Sequence, residues 1–80
     1  MRLVVSDRAR NDYRGLPKTL QKRASKQFKL LLSDRRHPSL HAKKYEGSGD
    51  VWQARIDRSY RFYFEIDGDV YVILSIIKHP

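Results

Sequence analysis

Eighty residues carry 17 Lys or Arg against nine Asp or Glu, a formal net charge of +8, with no cysteine. A chain of this length holds one domain with a modest core that no disulfide can reinforce. No apolar run approaches a membrane span, and the opening Met1-Arg2-Leu3-Val4-Val5 is too short for a signal peptide, so a soluble cytoplasmic protein is expected.

Residues 2–5 are apolar and β-branched, which predicts an opening strand. Ser6 followed by Asp7 has the form of a helix start, a hydroxyl cap and then an acid in the first turn. Ala9, Tyr13 and Leu16 recur at helical spacing, so a first helix should reach about Arg14 before Gly15-Leu16-Pro17 breaks it. Pro17 suits the first position of a second helix over 17–33. Leu20, Ala24, Phe28, Leu31 and Leu32 form its apolar stripe, and Lys18, Lys22, Lys26 and Lys29 line its far side.

Residues 33–40 are irregular, with Pro38 barring regular structure at His37. A strand of mixed polarity is expected over 41–46, then a loop over 47–50. Residues 51–70 read VWQARIDRSYRFYFEIDGDV and alternate over a long run. Trp52, Ala54, Ile56, Tyr60, Phe62, Phe64 and Ile66 share one parity; Gln53, Arg55, Arg61 and Tyr63 share the other. That period of two predicts two paired strands with one buried and one wet face. If both apolar sets face one core, Ile56 lies opposite Tyr60, Asp57-Arg58-Ser59 is a three-residue loop, and Arg55 faces Arg61. Like charges so placed destabilise a sheet slightly, unless an anion such as a phosphate lies between them.

The last strand, over 70–77, is apolar on both parities, so its register rests on the turn before it. Asp67-Gly68 signals a two-residue turn pairing Ile66 with Asp69, which buries Tyr71, Ile73, Ser75 and Ile77 and carries His79 with them. A three-residue loop Asp67-Gly68-Asp69 pairs Ile66 with Val70 instead. It buries Val70, Val72, Leu74 and Ile76 and sends His79 to the face of Arg55 and Arg61. The second register gives the more uniformly apolar set and is the expected one. The order β-α-α-β-β-β-β then describes an α+β domain, a helical hairpin on one face of a small, mostly antiparallel sheet.

The charge is unevenly spread. Up to Lys44 there are thirteen Lys or Arg against Asp7, Asp12 and Asp34, a balance of +10, while the remainder carries −2. Such a field implies nucleic acid or an acidic protein partner, with solubility as the plain alternative. No phosphate-cradling glycine loop or nucleophile elbow is present. His37 and His41 are separated by Pro38 and have no cysteine or acid cluster to complete a metal site, so no metal or other cofactor is expected. What remains is a cationic face and His79. Cleavage of RNA by its own 2′-hydroxyl needs a proton acceptor, cations for the crowded phosphorane and a proton donor for the 5′ oxygen. Arginine stabilises charge but keeps its proton, whereas histidine titrates near neutrality.

The stretch KKYEGSGDVWQARIDRSYRFYFEIDGD, with Trp-x-x-Arg and then Tyr-Arg-x-x-Phe, and the closing SIIKHP resemble the RelE/ParE superfamily of bacterial type II toxins. The resemblance runs along nearly the whole chain. It implies a small α+β toxin neutralised by a cognate antitoxin. RelE-like members cleave mRNA in the ribosomal A site, and ParE-like members poison DNA gyrase without cutting RNA. By position, Arg55 matches a basic catalytic residue on the third strand, Arg61 the arginine of the Tyr-Arg step, and His79 an arginine or histidine after the last strand. Lys44 matches a basic residue before the loop glycine, here Gly47. Gln53 departs from the pattern, standing where some relatives have lysine.

The expected protein is thus a RelE-like, metal-independent mRNA endonuclease that inhibits translation, with mRNA, the ribosome and an antitoxin as partners. Arg55, Arg61 and His79 are its catalytic candidates, and Lys22, Lys26, Lys29, Lys43, Lys44 and Arg58 its nucleic-acid-binding candidates. A gyrase-directed ParE-like toxin and a non-catalytic RNA-binding module are the alternatives.

Overall fold

The alternating stretch forms the middle of a five-stranded sheet in the computed structural model, which describes residues 1–45 and 49–79. Elements follow the order β1 (Arg2–Val5), α1 (Asp7–Arg14), α2 (Lys18–Ser33), β2 (Lys43–Lys44), β3 (Val51–Arg55), β4 (Tyr60–Asp67) and β5 (Val70–Lys78), with a 3₁₀ turn at Pro38–Leu40. Across the sheet the order is β1-β5-β4-β3-β2. Only β1 and β5 run parallel; the other pairs are antiparallel. The α+β hairpin-on-sheet architecture expected from the sequence is the one observed.

Ser6 caps α1 by accepting from the Ala9 N–H at 3.1 Å, and its own hydroxyl donates to Leu74 O at 2.9 Å. One residue thereby starts a helix and ties it to β5. Pro17 sits one step earlier than expected, as the residue before α2, where its carbonyl accepts the first helical bond from Gln21. The stripe of α2 also needs one correction: Leu32 is 41% exposed. At 100° per residue it stands about 80° round the helix from Ala24, whereas Leu31 stands only about 20° away. Gln27, a polar residue, takes the inward place.

The core lies between the helices and one sheet face. Phe62, Phe64, Leu31, Leu40, Ile56 and Ile73 are its largest fully buried side chains. Phe28 of α2 meets Phe62 edge to face, with centroids 5.0 Å apart, and Trp52 stacks on Phe64 at 6.1 Å. Both belong to the expected inward parity.

The β3–β4 register agrees with the sequence reading: Arg55 pairs with Arg61, and the Ile56 N–H donates to Tyr60 O at 2.9 Å. The β4–β5 register does not. Asp67 pairs with Val70 and Ile66 with Tyr71, so the turn is the two residues Gly68-Asp69. Gly68 supplies the positive φ, +59°, that such a turn requires. Tyr71 and Ile73 are therefore buried, not Val70 and Val72. A bulge follows, because Phe64 pairs with Ile73 but Tyr63 pairs with Ser75. Leu74 is the extra residue, and it reverses the parity of everything after it. Beyond the bulge Ile76 pairs with Phe62 inside, and Ile77 pairs with Arg61 outside.

The strand expected over 41–46 is confined to Lys43–Lys44. His41 adopts a left-handed conformation, φ 47° and ψ 41°, as it closes the 3₁₀ turn, and this breaks the extended run. Glu46, Gly47 and Ser48, on which the end of that strand and part of the loop fall, lie outside the described residues, as does Pro80.

Candidate functional site

Two sheet edges are left short of a strand partner, and polar side chains fill them. β1 ends opposite Ile73, and beyond it Asp12 Oδ2 accepts the Ile76 N–H at 2.9 Å. At the other edge β2 reaches only as far as Gln53, so the carbonyl of Arg55 has no strand to bond. Gln27 Nε2 reaches down from α2 to donate to Arg55 O at 2.9 Å and Ser39 O at 3.3 Å. Gln27 is 5% exposed, and these bonds account for its burial. They also lock together α2, the end of β3 and the segment leading to His41.

Arg55 and Arg61 then project from the open face of the sheet as directly opposed neighbours. The loop beyond them is fixed by Asp57, whose Oδ1 accepts from the N–H groups of Ser59 and Tyr60, both at 2.8 Å. The Ser59 carbonyl in turn accepts the N–H of His79. Because of the Leu74 bulge, His79 leaves β5 on the parity of Arg61 and Ile77. It reaches the expected face through a parity reversal within the strand, not through the expected turn. Without the bulge it would lie on the side of the helices.

These elements enclose an open cavity of about 490 Å³ lined by His41, Lys43, Gln53, Arg55, Arg61 and His79. No carboxylate among the described residues lines it. The two ion pairs among the described residues, Arg8 with Asp12 and Lys44 with Asp50, involve none of its side chains. The cavity is a concentration of cations and imidazoles with amide and guanidinium donors, suited to a phosphodiester.

The remaining candidates are dispersed. Lys26 and Arg58 line a second cavity beside Arg55. Lys22 and Lys29 line a shallow site on the outer side of α2, which also includes Lys26. Lys44 is turned toward Asp50 at 3.9 Å. A further cavity, of about 540 Å³, holds Arg35, Arg36, His37 and Trp52, with the Arg35 guanidinium 5.5 Å from the Trp52 ring centroid. His37 has a structural task, since its Nδ1 accepts the Ser39 N–H at the start of the 3₁₀ turn.

Sequence reasoning considered His41 only as a metal ligand and passed over Arg23 and Gln27. His41 lines all three of these basic cavities. Its position depends on a left-handed residue after a 3₁₀ turn, which no periodic pattern announces. The open face also exposes separate apolar side chains: Val4, Tyr45 and Ile77 are each 40% exposed or more. Tyr45 packs edge to face on Tyr63 at 5.4 Å.

No protein-family model matches the sequence, and no curated protein matches it. Solved structures do match in fold. A YoeB/ParE toxin from Agrobacterium tumefaciens aligns over all of both chains at a TM-score of 0.84 and 15% identity. The toxin of the intact Escherichia coli RelBE toxin–antitoxin complex aligns over 99% of this chain and 96% of its own, at 0.77 and 22%. An archaeal RelE–RelB complex from Pyrococcus horikoshii aligns over 96% and 92%, at 0.80 and 22%. The architecture implied by the Trp-x-x-Arg and Tyr-Arg motifs is thus the architecture present.

Proposed function

We propose that this chain, which has the fold of the RelE and YoeB toxins, is the toxin of a toxin–antitoxin pair and acts as a metal-independent mRNA endonuclease. The observation that carries the reading is the convergence of Arg55, Arg61, Lys43 and His79 on one cavity that no carboxylate among the described residues lines. A site built for proton abstraction by an acid residue, or for a divalent cation, needs acidic groups; a site for a phosphodiester needs cations.

The chemistry is internal transesterification. The 2′ oxygen attacks the adjacent phosphorus, an O2′–P bond forms and the P–O5′ bond breaks, leaving a 2′,3′-cyclic phosphate and a 5′-hydroxyl. Arg55 and Arg61 hold the nonbridging oxygens and stabilise the extra charge of the phosphorane. One proton leaves the 2′-hydroxyl and one is delivered to the 5′ oxygen. His79 performs one of these transfers, and the second imidazole of the cavity, His41, is available for the other.

The antitoxin reading is supported by the similar structures solved as toxin–antitoxin and RelE–RelB complexes. The open face has both features that such a partner would use, a basic cavity and exposed apolar side chains, of which Ile77 pairs with Arg61 beside it.

A purified translation system tests the reading. Adding the protein should shorten the mRNA and stop synthesis, and prior addition of the neighbouring gene's product should prevent both. Inhibited synthesis with intact mRNA, or no inhibition, would refute the nuclease reading.

A further inference from the structure

Arg55 separates two cavities, and only one has been given a role. The other, of about 290 Å³, lies between α2 and the β3–β4 loop and is lined by Arg23, Lys26, Ser39, His41, Arg55 and Arg58. Arg55 and His41 line both cavities, so the two are contiguous.

The second cavity is rigidly floored. Gln27 fixes Ser39 and the backbone of Arg55, and Arg23 Nε donates to Ile56 O at 3.1 Å. Asp57 is the one carboxylate among the described residues on its wall, and its Oδ1 is engaged by two backbone N–H groups. No ion pair among the described residues involves Arg23, Lys26, Arg55 or Arg58. Moreover, Arg55 Nε is buried and has no hydrogen-bond partner among the described residues. A buried donor left unpaired is costly, and four cations here face a single carboxylate, an excess of positive charge that an anion would offset. An anion with two free oxygens would balance these charges, and arginine forks are shaped for one.

We propose that this cavity is a second phosphate subsite, taking the phosphodiester next to the scissile one, with Arg55 between the two. The assignment rests on the nuclease reading, since it presumes that RNA occupies the first cavity. The RNA backbone would then turn around His41 and Arg55 and not lie flat on the sheet.

The test uses a single-stranded RNA decamer with 2′-O-methyl riboses, which lacks the nucleophile and stays intact, titrated by fluorescence anisotropy over a range of NaCl. Lys26→Gln with Arg58→Gln removes two exposed charges from the subsite. Arg2→Gln with Arg14→Gln removes two from β1 and α1, at the opposite edge of the sheet. The subsite pair should weaken binding about tenfold at low salt and reduce the slope of log K against log salt by about 0.7, one phosphate's worth for a single strand. The control pair should do neither. Equal losses in both double variants, or an unchanged slope in the first, would overturn the subsite while leaving RNA binding at the first cavity intact. Failure of the wild-type protein to bind the decamer would overturn the subsite together with the reading beneath it.

Discussion

Arg55 and Arg61 stand directly opposite each other across the β3–β4 ladder. The adjacent Ile56–Tyr60 pair carries the backbone hydrogen bond, which makes the arginines a non-hydrogen-bonded pair, the closer of the two kinds, with Cα atoms typically about 4.5 Å apart. Two like charges so placed cost a few tenths of a kcal/mol up to about 1 kcal/mol. A bound phosphate turns that cost into a binding contribution.

Replacing both arginines with alanine should therefore leave the domain folded while flattening the salt dependence of RNA affinity. The expected loss is roughly 0.7 units of slope, the share of the one phosphate that the pair holds on a single strand. A slope equal to that of the wild type would mean that the pair does not hold phosphate and that the α2 lysines do.

Phe62 anchors the core beneath this pair, fully buried and edge to face with Phe28. Phe62→Ala should cost about 3–5 kcal/mol, as truncation of a buried aromatic does. Urea denaturation measures it. Unchanged stability would contradict the packing of α2 on the sheet.

Gln27 is a different kind of anchor. Gln27→Ala leaves the carbonyl of Arg55 without its donor, at a cost of about 1–3 kcal/mol, while the exposed Ser39 can turn its carbonyl to water. The variant should lose stability on that scale and also lose RNA affinity, because the end of β3 is released. Loss of stability with affinity fully retained would show that Arg55 is positioned by the sheet alone.

The contrast between these two residues shows what the sequence makes legible. Phe62 lies in a run of strict alternation, where the buried parity, the partner strand and the three-residue loop all follow from one pattern. Gln27 interrupts an apolar stripe, and its burial makes sense only once the short β2 is seen to leave Arg55 O exposed at an edge. The turn into β5 fails for a related reason. Residues 70–77 are apolar on both parities, so nothing in the pattern marks the bulge at Leu74, and two different registers account for two halves of one strand. His79 was expected on the open face and lies there, but by way of that bulge. His41 was legible as a histidine and not as the meeting point of three cavities, because its placement comes from a left-handed backbone.

The central claim is that His79 moves a proton during RNA cleavage in the Arg55–Arg61 cavity. Single-turnover cleavage of one mRNA in a purified translation system, run with wild type and His79→Ala and paired with binding of the uncleavable decamer, tests it most directly. His79→Ala should slow cleavage by roughly 10²–10⁴-fold, the usual contribution of a general acid or base, with RNA affinity nearly unchanged. Cleavage by His79→Ala at the wild-type rate would contradict it.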